Sequence, residues 1–140
     1  MGSFLYPITL TGPQGEVTLE TLVDTGATYT WIPKPILERL GVRPIGKEPF
    51  ALADGRVVEY DIGALTARID GKERPTLVIF GDPDTEPLLG VFTLEGFLLG
   101  VDPVNKPLIP VTGRLKTIEL NKKSLFQRRD KLWHRISRHG

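Results

Sequence analysis

The stretch Thr21-Leu22-Val23-Asp24-Thr25-Gly26-Ala27 constrains this chain more than any other, because an apolar run ends on a carboxylate and Thr-Gly follows at once. Val17, Leu19, Leu22 and Val23 read as a strand entering a core. A lone charge at the end of such a strand carries a heavy desolvation cost unless it is paired or hydrogen-bonded. Gly26 then permits close backbone approach or an unusual φ. Two readings meet at Asp24: a catalytic carboxylate, or the first residue of a turn, since Asp, Thr and Gly all favour turns.

What surrounds this stretch is a chain of short strands. Its 140 residues suffice for one domain with a modest core. Fifteen Gly and twelve Pro are spread along it, which favours many turns and a mainly β fold over a helical bundle. With no cysteine, disulfide staples, thiol catalysis and thiolate metal sites are excluded. The first residues hold no basic leader followed by a long apolar segment, so the expected location is the cytoplasm.

Strands are expected at 8–10 and 16–23, joined through Gly12-Pro13-Gln14-Gly15 in a hairpin that delivers Asp24. A further strand is expected at 28–32, where β-branched and aromatic residues alternate before Pro33. Residues 35–41 carry Pro near the start, apolar residues three and four apart, and Gly at the end, the pattern of a short helix. Asp54-Gly55 and Asp70-Gly71 mark two more hairpins, the second flanked by strands at 64–69 and 76–80. Apolar residues at 91, 94 and 98 predict about two helical turns, and a last hairpin pairs 98–101 with 108–111.

The charge is unevenly divided. Residues 121–140 hold seven Lys or Arg against Asp130, a net +6, while the first 120 residues hold eleven cationic and sixteen anionic residues, a net −5. A boundary is therefore expected near Asn121, with a body at 1–120 and a basic extension at 121–140. In the extension, Ser124 and Gln127 make a capping-box pattern, and Leu125, Leu132, Trp133 and Ile136 fall near one face of a helix. It reads either as a solvated extension or as a contact with a subunit, an acidic membrane surface or nucleic acid.

The order strand, Asp24-Thr25-Gly26-Ala27, strand, Asp-Gly hairpin, hairpin, Leu88-Leu89-Gly90 and helix resembles the retropepsin-like aspartic proteases over residues 5–111. Thr30-Trp31-Ile32-Pro33 is also similar to the segment that follows the same triplet in pepsins. The resemblance implies a closed acid-protease barrel with one or two short helices, and a helix is expected in the C-terminal tail. It implies an aspartic endopeptidase with Asp24 as the catalytic residue, Thr25 and Gly26 supporting the loop, and no cofactor. Ala27, Leu52, Asp54 and Gly55 then fall at the substrate, Asp54 and Gly55 on a flap and Leu52 as a wall residue that could equally be core, and Leu88-Leu89-Gly90 forms the second motif. Trp31 and Ile32 are further wall residues that could equally be core.

Peptide hydrolysis of this kind needs two carboxylates sharing one proton, one acting as base on a water and the other as acid toward the carbonyl. Two carboxylates about 4 Å apart at an effective dielectric of about 20 repel by roughly 4 kcal/mol, near three pKa units, so both do not ionise near neutrality. The aspartic-protease dyad is itself the standard example of that splitting. In that family a single Asp-Thr-Gly implies a homodimer acting on a peptide or protein substrate, each subunit supplying its Asp24. Viral members carry Arg where this chain has Val91, and few residues precede Ile8, so dimerisation is expected to use other segments, such as 108–111 or the basic tail.

Other chemistries find no footing. Asp54, Asp70 and Asp102 sit beside Gly or Pro and read as turn acids. His134 and His139 have no Cys and no carboxylate cluster around them, so no metal site is expected, and Ser124 lacks a Gly-x-Ser-x-Gly context. The competing class is a catalytically inactive retropepsin-like dimer that binds peptides or serves as a scaffold, because fold does not grant function.

Overall fold

The computed structural model describes residues 4–102, 104 and 108–111. The basic extension, its expected helix and the boundary near Asn121 lie outside the described residues.

Strands β1 (Phe4–Gly12) and β2 (Gly15–Val23) form the first hairpin, with Gly12 opposite Gly15 across Pro13-Gln14. The first strand begins at Phe4, four residues before the expected start at Ile8, so the amino-terminal strand is not abbreviated to 8–10. Alternation explains the extension: Phe4, Tyr6, Ile8 and Leu10 face inward, and Leu5 and Pro7 are exposed. The hairpin tip packs on the end of helix α1 (Lys34–Arg39), where Gln14 N donates to Leu40 O at 2.9 Å.

Strand β3 (Thr30–Pro33) leads into α1, and β4 (Gly46–Ala51), β5 (Val57–Ile69) and β6 (Lys72–Gly81) form a meander. Between β5 and β6 the turn is Asp70-Gly71 alone, with φ of 52° and 82° and Ile69 opposite Lys72. Positive φ at both central residues is what a type I′ hairpin requires. The Asp54-Gly55 hairpin differs. Ala51 pairs with Val57, leaving a five-residue loop at 52–56 in which only Gly55 has positive φ, 88°. The cause is Asp54 itself: its carboxylate accepts from Arg56 N at 3.0 Å and Arg56 Nε at 2.6 Å, building a wider side-chain-stapled turn.

Strand β7 (Leu88–Leu89), helix α2 (Val91–Gly96) and the small sheet of β8 (Leu99–Val101) with β9 (Leu108–Pro110) complete the described chain. The helix is shorter than the expected 91–98, because Leu98 takes a φ of 53°. The main sheet runs β1-β2-β7-β3-β6-β5-β4, and β1 pairs again with β5 through Thr9, Leu10 and Thr11. That second pairing closes six strands into a ring and leaves β4 outside it, so the fold is mainly β with two short helices. The core inside the ring includes Ile8, Leu10, Ile32, Leu65, Val78 and Leu89, all buried.

Candidate active site

The topology places β7 between β2 and β3, the two strands that flank the Asp-Thr-Gly loop. Leu22 and Val23 pair in parallel with Leu88 and Leu89, and Leu88 also faces Trp31. The chain from Asp24 to Tyr29 must therefore arch over the end of β7, and the two motifs expected from the sequence are brought together there. Asp24 N donates to Leu89 O at 3.0 Å on the entry side of the arch. On its exit side, Val91 N donates to Ala27 O at 2.9 Å and Phe92 N to Thr28 O at 2.8 Å. The first N–H groups of α2, which have no partner inside the helix, are thus satisfied by the loop's carbonyls. Val91 plays its part through its backbone, which does not depend on the Arg side chain found in viral members.

Within the loop, Gly26 N donates to the Asp24 carboxylate at 2.8 Å and Ala27 N donates to Asp24 O at 3.1 Å. The turn reading and the acid reading of Asp24 are therefore compatible: the Asx-type bond aims the carboxylate rather than occupying the residue. A Cβ on Gly26 would lie 3.1 Å from the same oxygen, crowding that bond. Thr25 and Gly26 are exposed on the arch, and Asp24 and Ala27 are half-buried.

Gly90 explains the second motif. Its φ of −98° is open to any residue, so backbone freedom is not the reason for glycine here. A Cβ at this position would run into the carbonyl of Tyr29 and lie 3.0 Å from the oxygen of Ala27. The close approach of β7's end to the loop needs a residue without a side chain. Leu89 is fully buried beneath it and Leu88 half-buried.

A chain of buried hydroxyls lies behind this contact, and sequence reading did not find it. Gly90 N donates to Thr30 Oγ1 at 3.1 Å, Thr30 Oγ1 lies 2.6 Å from Thr93 Oγ1, and Thr93 Oγ1 lies 2.8 Å from Thr76 Oγ1. All three threonines are buried. The available signal was a threonine standing among large apolar neighbours, as in Tyr29-Thr30-Trp31-Ile32, but its partners Gly90 and Thr93 lie 60 and 63 residues away along the chain.

Leu52, Asp54 and Gly55, expected at the substrate, lie on the loop between β4 and β5, with Leu52 half-buried and the other two exposed. That hairpin is tied to the floor of the site by aromatic rings. Trp31, in the strand leaving the loop, packs edge-on against Phe50 of β4 at 4.8 Å and Tyr60 of β5 at 4.9 Å. Tyr60 also donates to Asp82 at 3.3 Å, and burial followed by that carboxylate holds its phenol above the ordinary value. Trp31 is accordingly a link between floor and flap, whereas Ile32 is core. Hydrogen bonding to Arg56 holds the Asp54 carboxyl below the usual carboxylate range. Among the described residues, no group of three or more His, Asp or Glu is placed to hold a metal ion. A cavity of about 430 Å³ beside α1, lined by Lys34, Arg43 and Asp61 among others, shares no residue with the loop.

An Asp-Thr-Gly arch seated on a Leu-Leu-Gly strand within a closed β ring places the chain in the retropepsin-like class of aspartic proteases. Residues 13–96 match the family model described as gag-polyprotein putative aspartyl protease, and the chain belongs to that family. No curated protein sequence matches it. Among solved structures, it is similar to the solution structure of simian foamy virus (mac) protease, with 24% identity over 66% of this chain and 92% of that one and a TM-score of 0.51. It is also similar to the EIAV protease complexed with the inhibitor HBY-793, with 20% identity over 67% of this chain and 86% of that one and a TM-score of 0.50. At these identities the likeness is one of fold.

Proposed function

We propose that this chain is an aspartic endopeptidase that works as a homodimer, with the Asp24 carboxylates of two subunits and a water between them. The observation that carries the reading is the hold on Asp24: its backbone N–H on Leu89 O at 3.0 Å and its carboxylate on Gly26 N at 2.8 Å, within a family of aspartyl proteases. One carboxylate, charged, takes a proton from the water as it attacks the peptide carbonyl. The other, protonated, donates to the carbonyl oxygen. On collapse the first gives the water's proton to the leaving nitrogen as the C–N bond breaks, and the second takes a proton back from the gem-diol oxygen, which yields amine and acid and restores the starting pair. The exposed Thr25 braces the paired arches across the two-fold axis, and the flap covers an extended peptide that adds strand-like hydrogen bonds.

The test is hydrolysis of a diverse peptide mixture by the purified chain and its Asp24→Asn variant. The variant keeps shape and loses the proton-shuttling group, so kcat/KM is expected to fall by at least about a hundredfold. Hydrolysis retained in Asp24→Asn, or absent from the wild-type dimer over the acid-to-neutral range, overturns the reading in favour of a binding or scaffolding role.

A further inference from the structure

We infer that the buried chain Gly90–Thr30–Thr93–Thr76 is the device that positions the catalytic arch, with Thr93 as its central positioning residue. The inference deepens the endopeptidase reading and rests on it for its catalytic consequence. Its structural consequence stands independently.

A threonine hydroxyl has one proton to give and two lone pairs to receive. Thr30 Oγ1 receives the Gly90 N–H at 3.1 Å and shares a hydrogen bond with Thr93 Oγ1 at 2.6 Å, and Thr93 Oγ1 shares another with Thr76 Oγ1 at 2.8 Å, either oxygen of each pair being able to donate. Hydrogen bonds linked through shared hydroxyls polarise one another, so each strengthens its neighbour. The chain lies in the interior, with Thr30 at 0%, Thr93 at 1% and Thr76 at 4% exposure, so water is not there to replace a lost partner.

The placement joins four elements around the site. Thr30 is the first residue of the strand leaving the arch, and Gly90 is the end of the strand beneath it. Thr93 is in the helix whose first N–H groups hold Ala27 O and Thr28 O, and Thr76 lies in β6, within the rigid wall of the ring. A single hydroxyl at 93 therefore ties both ends of the arch's support to β6. An apolar residue there would leave the buried Thr30 and Thr76 hydroxyls without that partner, so the hydroxyl at 93 specifies geometry beyond what filling the core requires. The linked hydroxyls fix the distance between arch and strand, and with it the line along which Asp24 points toward its partner copy. A displacement of about 1 Å in a reacting group suffices to cost about a hundredfold in rate.

The experiment compares Thr93→Val, Thr93→Ser and Thr76→Val in the full chain, reading amide hydrogen exchange residue by residue and steady-state peptide hydrolysis. In Thr93→Val, the Gly90 and Ala27 amides are expected to exchange at least about tenfold faster, while Ala67 in β5 keeps its rate. Over the same change kcat is expected to fall about tenfold with KM within about twofold, because an arch that misplaces Asp24 affects the chemical step more than binding. Thr93→Ser, which keeps the hydroxyl, is expected to restore both. Unchanged exchange at Gly90 and Ala27, a uniform rise at every amide including Ala67, or no rescue by serine overturns the inference. If Thr93→Val does not fold, Thr76→Val breaks the far link and is read by the same criteria. The exchange result does not need peptidase activity, so an inactive wild type would defeat the endopeptidase reading while leaving this inference to be judged on its own.

Discussion

Gly90 is the residue on which the site's construction turns, and for a reason other than backbone freedom. Any side chain there meets the carbonyl of Tyr29, in a loop whose backbone is already held by Phe92 N on Thr28 O at 2.8 Å and by Val91 N on Ala27 O at 2.9 Å. Gly90→Ala cannot be relieved by moving a flexible side chain, so the arch must lift. A cost of about 1–3 kcal/mol in unfolding free energy is expected from denaturant titration, with activity lost more steeply than stability. An alanine variant with wild-type stability and activity would show that the loop is more compliant than the packing implies. Asp24 teaches a related lesson at the same scale: an acid in a turn and an acid for catalysis are not exclusive, because the Gly26 N–H uses one carboxylate oxygen to aim the group.

At the scale of elements, the strands are held where the chain most needs closure. Strand β1 reaches the β5–β6 turn through Tyr6, whose O–H donates to Asp70 Oδ1 at 2.6 Å. That hydrogen bond first, then burial and repulsion by the Asp70 charge, pushes the phenol from 10.0 up to about 12. The sign follows from the raised value: the fold prefers the protonated phenol, so the contribution is fully present below about pH 10 and disappears as pH rises through about 12. The stability difference between wild type and Tyr6→Phe is expected to be constant from neutrality to about pH 10 and to shrink between 10 and 12. Measuring unfolding midpoints across that window checks it, and a difference that does not change with pH would remove Asp70 from the account. The group is largely exposed, so the effect is modest. The β4–β5 hairpin is held differently, by the rings of Trp31, Phe50 and Tyr60 and by Asp54 on Arg56 at its tip.

For the whole molecule, the proposed endopeptidase with its single Asp-Thr-Gly would have function as a property of a pair. A mixture of wild-type and Asp24→Asn subunits forms heterodimers with one carboxylate between them. Adding a threefold excess of the variant is expected to depress wild-type activity to about a quarter of its undiluted value, as random isologous pairing dictates. Activity that stays proportional to the amount of wild-type chain would mean that one Asp24 suffices.

How much of this was legible in the sequence depends on how far apart the interacting residues lie along the chain. Strand periodicity in β1 and β5, the positive-φ pair Asp70-Gly71, the helix signals around Pro35 and Gly41, and the Asp24-Thr25-Gly26 triplet all express themselves between near neighbours, where local sterics and alternation suffice. The two-residue strand β7 has no period to read. Its identity comes from Leu22, Val23 and Trp31, which surround it only after the chain has folded. The same holds for Gly90, whose glycine answers to a carbonyl 61 positions earlier, and for Thr30, Thr93 and Thr76, which look like ordinary polar residues until the interior deprives them of water. The sequence by itself determined the mainly β class and the family resemblance carried by the Asp24 triplet. Only the tertiary structure decided what holds Asp24 in place, because burial and long-range hydrogen bonding exist only once the ring of strands has closed.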